Sequence, residues 1–258
     1  MSSNGRTDDS GSSYLGSNPS IPVELKSLKV NLISFPNSEV HIWHAYINKQ
    51  VKNIEFFKSL LSIEESEKIN NLYLEKNKKK SIISRALLRY ILSLYIDINP
   101  NEIKFIYNKH GKPYLDIKQN SNNINFNLSH SNNLIVYAIA KNQELGIDVE
   151  KFRNNFDINK LAKRYFSENE LSIFEKVSEN KKIKIFFSIW TKKEAFLKAK
   201  GMGIYTPLNK INVSSNFIED NNELWQFENL KINYKYSTKL AVKNKDYSVK
   251  YFLFNKTL

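Results

Sequence analysis

The chain has 258 residues, 39 Lys and Arg against 26 Asp and Glu, a net charge of +13, and no cysteine. Disulfides, thiolate metal sites and cysteine nucleophiles are thereby excluded, and the length allows one large domain or two of roughly 100 to 150 residues. The positive charge invites an anionic partner such as nucleic acid, a membrane surface, an acidic protein or a phosphorylated ligand, yet only five of the basic residues are Arg (Arg6, Arg85, Arg89, Arg153, Arg164), which fits a compositional bias better than a phosphate-reading surface.

Residues 1–20 are rich in Ser, Gly, Asn and Asp and predict a disordered tail. No apolar run approaches the roughly 20 residues of a membrane span, and the start lacks a signal-peptide core, so a soluble cytoplasmic protein is expected. Folded structure is expected from Ile21. His41 to Ile47 reads as a strand with Ile42, His44 and Tyr46 on one face, and the i, i+3 spacing of His41 and His44 does not bring them together as a metal pair. Ser62-Ile-Glu-Glu65 is a capping-box pattern that opens a helix. A second helix is expected from Lys78 to Leu94, with Ile83, Leu87, Tyr90, Ile91 and Leu94 as its apolar face. Lys76, Lys78, Lys79 and Lys80 cluster near its start, either as a solvated charge run or as a hold for phosphate at a helix N-terminus.

His110-Gly-Lys-Pro113 predicts a turn. Ile124 to Ala140 reads as a hairpin that turns at Ser131-Asn-Asn133. Ser129 and His130 fall just before that turn; as sequence neighbours they are poorly placed to be the nucleophile and base of a hydrolase triad. In the next segment Leu145, Ile147 and Val149 alternate with Gly146, Asp148 and Glu150, which puts both carboxylates on one face of a strand. Like charges that close raise each other's pKa and require water, cations or a metal. Gly146 on the same face leaves room for something to approach.

A helical stripe then runs Ile183, Phe187, Trp190, Glu194, Leu197, and Gly201 is a good C-cap. Glu194 interrupts the stripe and is partly desolvated, at a cost unless a cation compensates it; Lys198 lies one turn on. Spacing alone leaves a plainer reading open, an amphipathic helix with a surface ion pair beside a solvated strand end. Ser167-Glu-Asn-Glu170 repeats Ser62 to Glu65 at an offset of 105 residues, each followed by another helix, from Ser84 and from Ser188. This echo predicts an α+β fold of two similar halves, 21–145 and 146–258, with a linker near Leu145 and the paired carboxylates at the start of the second half. Strands are expected at Ile211–Val213, Leu224–Phe227, Leu230–Tyr236, Leu240–Val242 and Tyr247–Phe254.

Gly146-Ile-Asp-Val-Glu150, followed after 39 residues by Trp190-Thr-Lys-Lys-Glu-Ala-Phe-Leu-Lys198, resembles the signature of the 4'-phosphopantetheinyl transferases of the surfactin-synthetase-activating (Sfp) type. Gly111-Lys-Pro113, Phe126-Asn-Leu-Ser-His-Ser131 and Lys163-Arg-Tyr-Phe-Ser167 agree with it. The resemblance implies a pseudo-dimer of two α+β halves with coenzyme A in the cleft between them. It also implies transfer of the phosphopantetheine arm of coenzyme A to a serine of an acyl, peptidyl or aryl carrier protein domain, with release of adenosine 3',5'-bisphosphate. Such carriers serve fatty-acid, polyketide and nonribosomal-peptide synthesis.

By the same resemblance, Asp148, Glu150 and Glu194 are the ligands of Mg²⁺ (or Mn²⁺), Glu194 is the base for the carrier serine, and Lys198 stabilises charge on the leaving side. Lys193 and Lys112 match positions that contact phosphate or pantetheine, Ser129 and His130 the hairpin that meets the arm and the 3'-phosphate, and Lys68, Lys80 and Ser81 the nucleotide end. Glu65 departs from the pattern, standing where a phosphate-binding lysine is common, with Lys76, Lys78 or Lys79 as replacements. A monomer with no nucleic-acid or membrane partner is expected. The competing readings are a coenzyme A binder of this fold without chemistry, and a basic nucleic-acid module. Against the latter, Lys is spread along the chain and no helix-turn-helix, zinc or RNA-recognition signature occurs.

Overall fold

The computed structural model describes residues 32–203, 206–243 and 246–255; the tail and the start of folded structure near Ile21 lie outside them. The first elements are β1 (Glu39–Tyr46), α1 (Ile47–Gln50), α2 (Ile54–Ser59), α3 (Ile63–Asn70) and α4 (Glu75–Ser93). A short ribbon, β2 (Phe105–Tyr107) and β3 (Pro113–Leu115), precedes the hairpin β4 (Ile124–Ser131) and β5 (Leu134–Lys141). The chain continues through β6 (Leu145–Lys151), α5 (Ile158–Tyr165), α6 (Glu168–Glu175) and α7 (Glu179–Lys200), then β7 (Phe217–Asp220), β8 (Glu223–Asn229), β9 (Tyr236–Val242) and β10 (Ser248–Leu253).

One four-stranded sheet has the order β10-β1-β5-β4 and the other β6-β9-β8-β7. Apolar alternation sorts the layers. On β5, Ile135, Tyr137 and Ile139 pack with α4, while Leu134, Val136, Ala138 and Ala140 face Leu145, Ile147 and Val149 of β6 across the gap between the sheets. The far face of the second sheet carries Trp225, Phe227 and Ala241 against Ala195, Phe196 and Ala199 of α7. The layers therefore run α4, first sheet, second sheet, α7. His41 and His44, on opposite faces of β1, form no pair; His41 Nδ1 bonds the Tyr95 hydroxyl at 2.8 Å.

The sheets meet at β4 and β6, and side chains make the join. Asn127 Oδ1 accepts from the Ile147 N–H (2.9 Å), Ser129 Oγ from Val149 N–H (3.4 Å) and Ser131 Oγ from Lys151 N–H (3.0 Å). Alternate residues of one edge strand thus satisfy alternate amides of the other, which buried edges require. On the opposite side of β6, Gly146 touches the helix backbone itself: a Cβ there would stand 2.1 Å from Ala195 O and 2.3 Å from Ala199 N. The space that glycine leaves is filled by α7.

The internal echo holds in its chemistry. Ser62 and Ser167 both N-cap their helices, and the glutamate three residues on, Glu65 or Glu170, pairs with a buried cation of the long helix that follows, Arg89 at 2.5 Å or Lys193 at 2.6 Å. Only the second is a full capping box, because the Glu65 carboxylate goes to Arg89 instead of back to Ser62. Both long helices start earlier than Lys78, Ser84 or Ser188, at Glu75 and Glu179, since the Lys-rich turns ahead of the apolar residues are good helix formers.

Other departures have local causes. Ile211–Val213 is not a strand, because Val213 N–H donates to Glu170 Oε1 (2.7 Å) and Ile211 O accepts from Lys193. Leu230 to Lys235 folds into turns, with Ile232 N–H on Leu230 O and Tyr236 N–H on Asn233 O, so the strand starts at Tyr236. The last strand does not stay within residues 146–258 as a unit: β10 pairs parallel with β1 and completes the first sheet. α7 is buried beyond the expected stripe, with Phe186, Ile189, Lys193 and Phe196 inside as well.

Gly146→Ala is expected to lower the unfolding free energy by about 2–3 kcal/mol through overpacking against the α7 backbone. Urea denaturation reads this as a lower midpoint at unchanged slope; an unmoved midpoint would mean that α7 is free to withdraw.

Candidate active site

The alternation of β6 turns Asp148 and Glu150 away from the inter-sheet core and toward α7, where one helical turn separates Glu194 from Lys198. All four line one cleft of about 370 Å³ with Ser129, His130 and Trp190. Asp148 is buried; its Oδ1 accepts from Lys198 Nζ at 2.6 Å and from Ser129 Oγ at 2.8 Å. Ser131 Oγ donates to Glu150 Oε2 at 2.8 Å. The two serines that join the sheets therefore also aim the two carboxylates. Lys198 Nζ donates in addition to Ser129 Oγ at 2.8 Å, which leaves one of its three N–H donors free of these two partners.

Glu194 and Glu150 are both held above the usual carboxylate range. Burial is the first cause for each; for Glu194 the Asp148 and Glu150 charges add to it and Lys198 opposes it, and for Glu150 the Ser131 bond opposes it and Asp148 adds. Asp148 Oδ2 is buried with no hydrogen-bond partner, an arrangement that is costly unless a cation meets it. The donor set is thus three carboxylates short of positive charge, which suits a hard divalent ion. Among the described residues no group of three His, Cys, Asp or Glu side chains, Asp148, Glu150 and Glu194 included, is placed to hold a metal ion by itself. Mg²⁺ does not ask for one, since it is commonly held by one or two carboxylates together with water and substrate phosphate.

The remaining expected residues divide. His130 reaches both this cleft and a neighbouring one of about 450 Å³ that Lys68 and Ser81 also line. Desolvation, then the Lys80 ammonium, lowers the His130 pKa. Lys80 lies within electrostatic reach of Glu150, and burial lowers its pKa. Lys112 is a brace: its Nζ donates to Ala199 O at the end of α7 (2.7 Å) and to Leu145 O (3.4 Å), and burial lowers its pKa to about 8. Lys193 is corrected outright. It is fully buried, paired with Glu170 and bonded to the carbonyls of Leu208 and Ile211, so no ligand phosphate reaches it.

A model described as 4'-phosphopantetheinyl transferase, N-terminal, matches residues 47–142, and one described as the 4'-phosphopantetheinyl transferase superfamily matches residues 144–252. The 4'-phosphopantetheinyl transferase HetI of Nostoc sp. is 36% identical over 65% of this chain and 71% of its own. The chain belongs to the 4'-phosphopantetheinyl transferases. Two further phosphopantetheinyl transferases are similar: gsp of Aneurinibacillus migulanus, 34% identical over 66% of this chain and 68% of its own, and Sfp of Bacillus subtilis, 29% identical over 62% and 68%.

The family, the enzyme class and the two-half α+β fold expected from the motifs are therefore found. The boundary between the two matched regions, at residues 142–144, falls in the connection between β5 and β6 of this transferase. No helix among the described residues is long and apolar enough to cross a membrane. Sequence reading missed Asn127 and Ser131; their alternation with Ser129 along one strand was the available signal. It also missed Trp190 as a wall of the cleft, having assigned it to the apolar stripe.

In this transferase, Lys193→Met is expected to cost about 3–5 kcal/mol of stability, because it strands the buried Glu170 carboxylate. Thermal denaturation measures the loss. An undiminished melting temperature accompanied by weaker coenzyme A binding would restore the ligand role.

Proposed function

We propose that this transferase moves the 4'-phosphopantetheine arm of coenzyme A to a serine of an acyl, peptidyl or aryl carrier protein domain, releasing adenosine 3',5'-bisphosphate, with Mg²⁺ (or Mn²⁺) as cofactor. The observation that carries the reading is the meeting of Asp148, Glu150, Glu194 and Lys198 in one cleft. Asp148, Glu150 and Glu194 would hold the ion, which supplies neutralisation of pyrophosphate charge.

The chain's own residues account for the proton and the leaving group. The Glu194 carboxylate, made more basic by burial and its acidic neighbours, takes the proton of the carrier serine hydroxyl, directly or through one water. The serine oxygen then bonds to the phosphorus of the pantetheine phosphate as that phosphorus releases the bridging oxygen to the adenosine bisphosphate. Lys198, fixed by Asp148 Oδ1 and Ser129 Oγ, offers its remaining N–H to the departing oxygen. Ser129 spends its own proton on Asp148, so its part is to orient the carboxylate and the lysine. The positive net charge favours approach of an acidic carrier.

Intact mass spectrometry of an apo carrier protein incubated with the enzyme, coenzyme A and Mg²⁺ is expected to show a gain of one phosphopantetheine per carrier, abolished by EDTA. No gain on any carrier class despite coenzyme A binding would instead favour a binder without chemistry. Glu194→Gln is expected to lower kcat by about 10²–10⁴-fold while coenzyme A still binds; full transfer by this variant would contradict Glu194 as the base.

A further inference from the structure

We propose that Asn108, together with Lys112, is a positioning residue for the transfer: from the β2–β3 turn it completes the last turn of α7 and so sets where Lys198 meets the leaving group. The proposal rests on the reading above, in which Lys198 serves the departing oxygen. Lys198 stands three residues before Gly201, in the last turn of α7, where backbone carbonyls have no partners within the helix. Helix ends fray, and a lysine carried on a frayed end loses its aim.

Here those carbonyls are met from two directions. Gly201, at φ 64°, lets the chain double back, so that Met202 N–H donates to Leu197 O (3.0 Å) and Gly201 N–H to Lys198 O (3.2 Å). The next carbonyl, Ala199 O, takes Lys112 Nζ of the first half at 2.7 Å. Gly201 O takes Asn108 Nδ2, also of the first half, at 2.9 Å. The fit is close: a Cβ on Gly201 would stand 2.7 Å from Asn108 Nδ2 and 3.0 Å from the Tyr114 hydroxyl.

Asn108 also builds the turn that carries Lys112. Its Oδ1 accepts from His110 N–H (2.9 Å) and Lys112 N–H (3.0 Å), its backbone N–H donates to Lys112 O (3.1 Å), and its carbonyl accepts from Gly111 N–H (3.0 Å). One residue thus shapes the turn and joins it to α7. The amide supplies both an acceptor for the turn and a donor for Gly201 O, whereas the isosteric carboxylate of Asp supplies only the acceptor. On the other side of the helix end, Lys198 Nζ bridges Asp148 Oδ1 (2.6 Å) and Ser129 Oγ (2.8 Å). A displacement of about 1 Å in such a group costs about 10²-fold in rate. Asn108 lines neither cleft, so its effect on the reaction runs through α7.

The test is transfer kinetics with coenzyme A, Mg²⁺ and one apo carrier, with a calorimetric Kd for coenzyme A as the check on folding. Asn108→Asp keeps the acceptor of the turn and loses the donor to Gly201 O. It is expected to lower kcat about 10- to 100-fold, while KM for coenzyme A and for the carrier, and the Kd, stay near wild type. Lys112→Met, which removes the donor to Ala199 O, should show the same split. In a Lys198→Met background, assayed with enzyme in excess, the loss from Asn108→Asp should largely disappear, because both changes act on one step. A wild-type kcat in Asn108→Asp, or a loss of the same size with and without Lys198, overturns the proposal. So does a raised coenzyme A KM at unchanged kcat, which would put the turn on the substrate instead. Should Asn108→Asp fail to bind coenzyme A, Lys112→Met decides by the same outcomes. A wild type that transfers to no carrier overturns the functional reading itself, and the proposal with it.

Discussion

At the join of the two halves, serine hydroxyls of β4 stand where the backbone of a neighbouring strand would stand elsewhere. A hydroxyl accepts and donates at once. Ser129 Oγ takes the Val149 amide and gives its proton to Asp148; Ser131 Oγ takes the Lys151 amide and gives its proton to Glu150. Each serine links the backbone of β6 to a carboxylate of β6 through a residue of the other half. Bonds to charged groups contribute roughly 1.5–3 kcal/mol, more than neutral ones, so the same contacts that hold the sheets in register set the direction of the two acids. A shift of β4 along β6 by one residue would present Leu128 and His130 instead of the serines.

The contact between Gly146 and α7 completes this arrangement from the other side. Because backbone meets backbone there, the helix lies close enough for Lys198 to reach Asp148 Oδ1 and Ser129 Oγ together. Lys112 secures the end of the same helix through Ala199 O, where a cation also complements the helix dipole. Deeper in each half, a glutamate near the start of a short helix pins the following long helix through a buried cation, Arg89 in α4 and Lys193 in α7. That repetition explains why Lys193, beside Glu194 in sequence, is structural: neighbours on a helix point about 100° apart, one into the core and one into the cleft.

Much of this was legible from residues. The alternation of β6, the β4–β5 hairpin, both serine caps and the Gly201 stop follow from local periodicity and turn chemistry, which act over a few positions. The motif pair around Asp148 and Glu194 carried the family. What stayed hidden depends on partners distant in the chain. Ile211 and Val213 look like strand residues, yet their backbone groups serve Lys193 and Glu170. The free space at Gly146 was readable, but not its occupant. Asn108 resembles any other turn asparagine until Gly201 and the end of α7 are brought against it.

The parallel pairing of β10 with β1 has a consequence for biogenesis. Ser248 bonds back to Ser38 across 210 positions of chain, so a nascent polypeptide that has already synthesised β1, β5 and β4 still exposes the open edge of β1. That edge is an adhesive template until residues 248–253 leave the ribosome. The first half cannot close its sheet during its own translation, and both halves must mature together. Premature termination before β10 would strand a sheet with a bare edge, a ready substrate for chaperones or for aggregation.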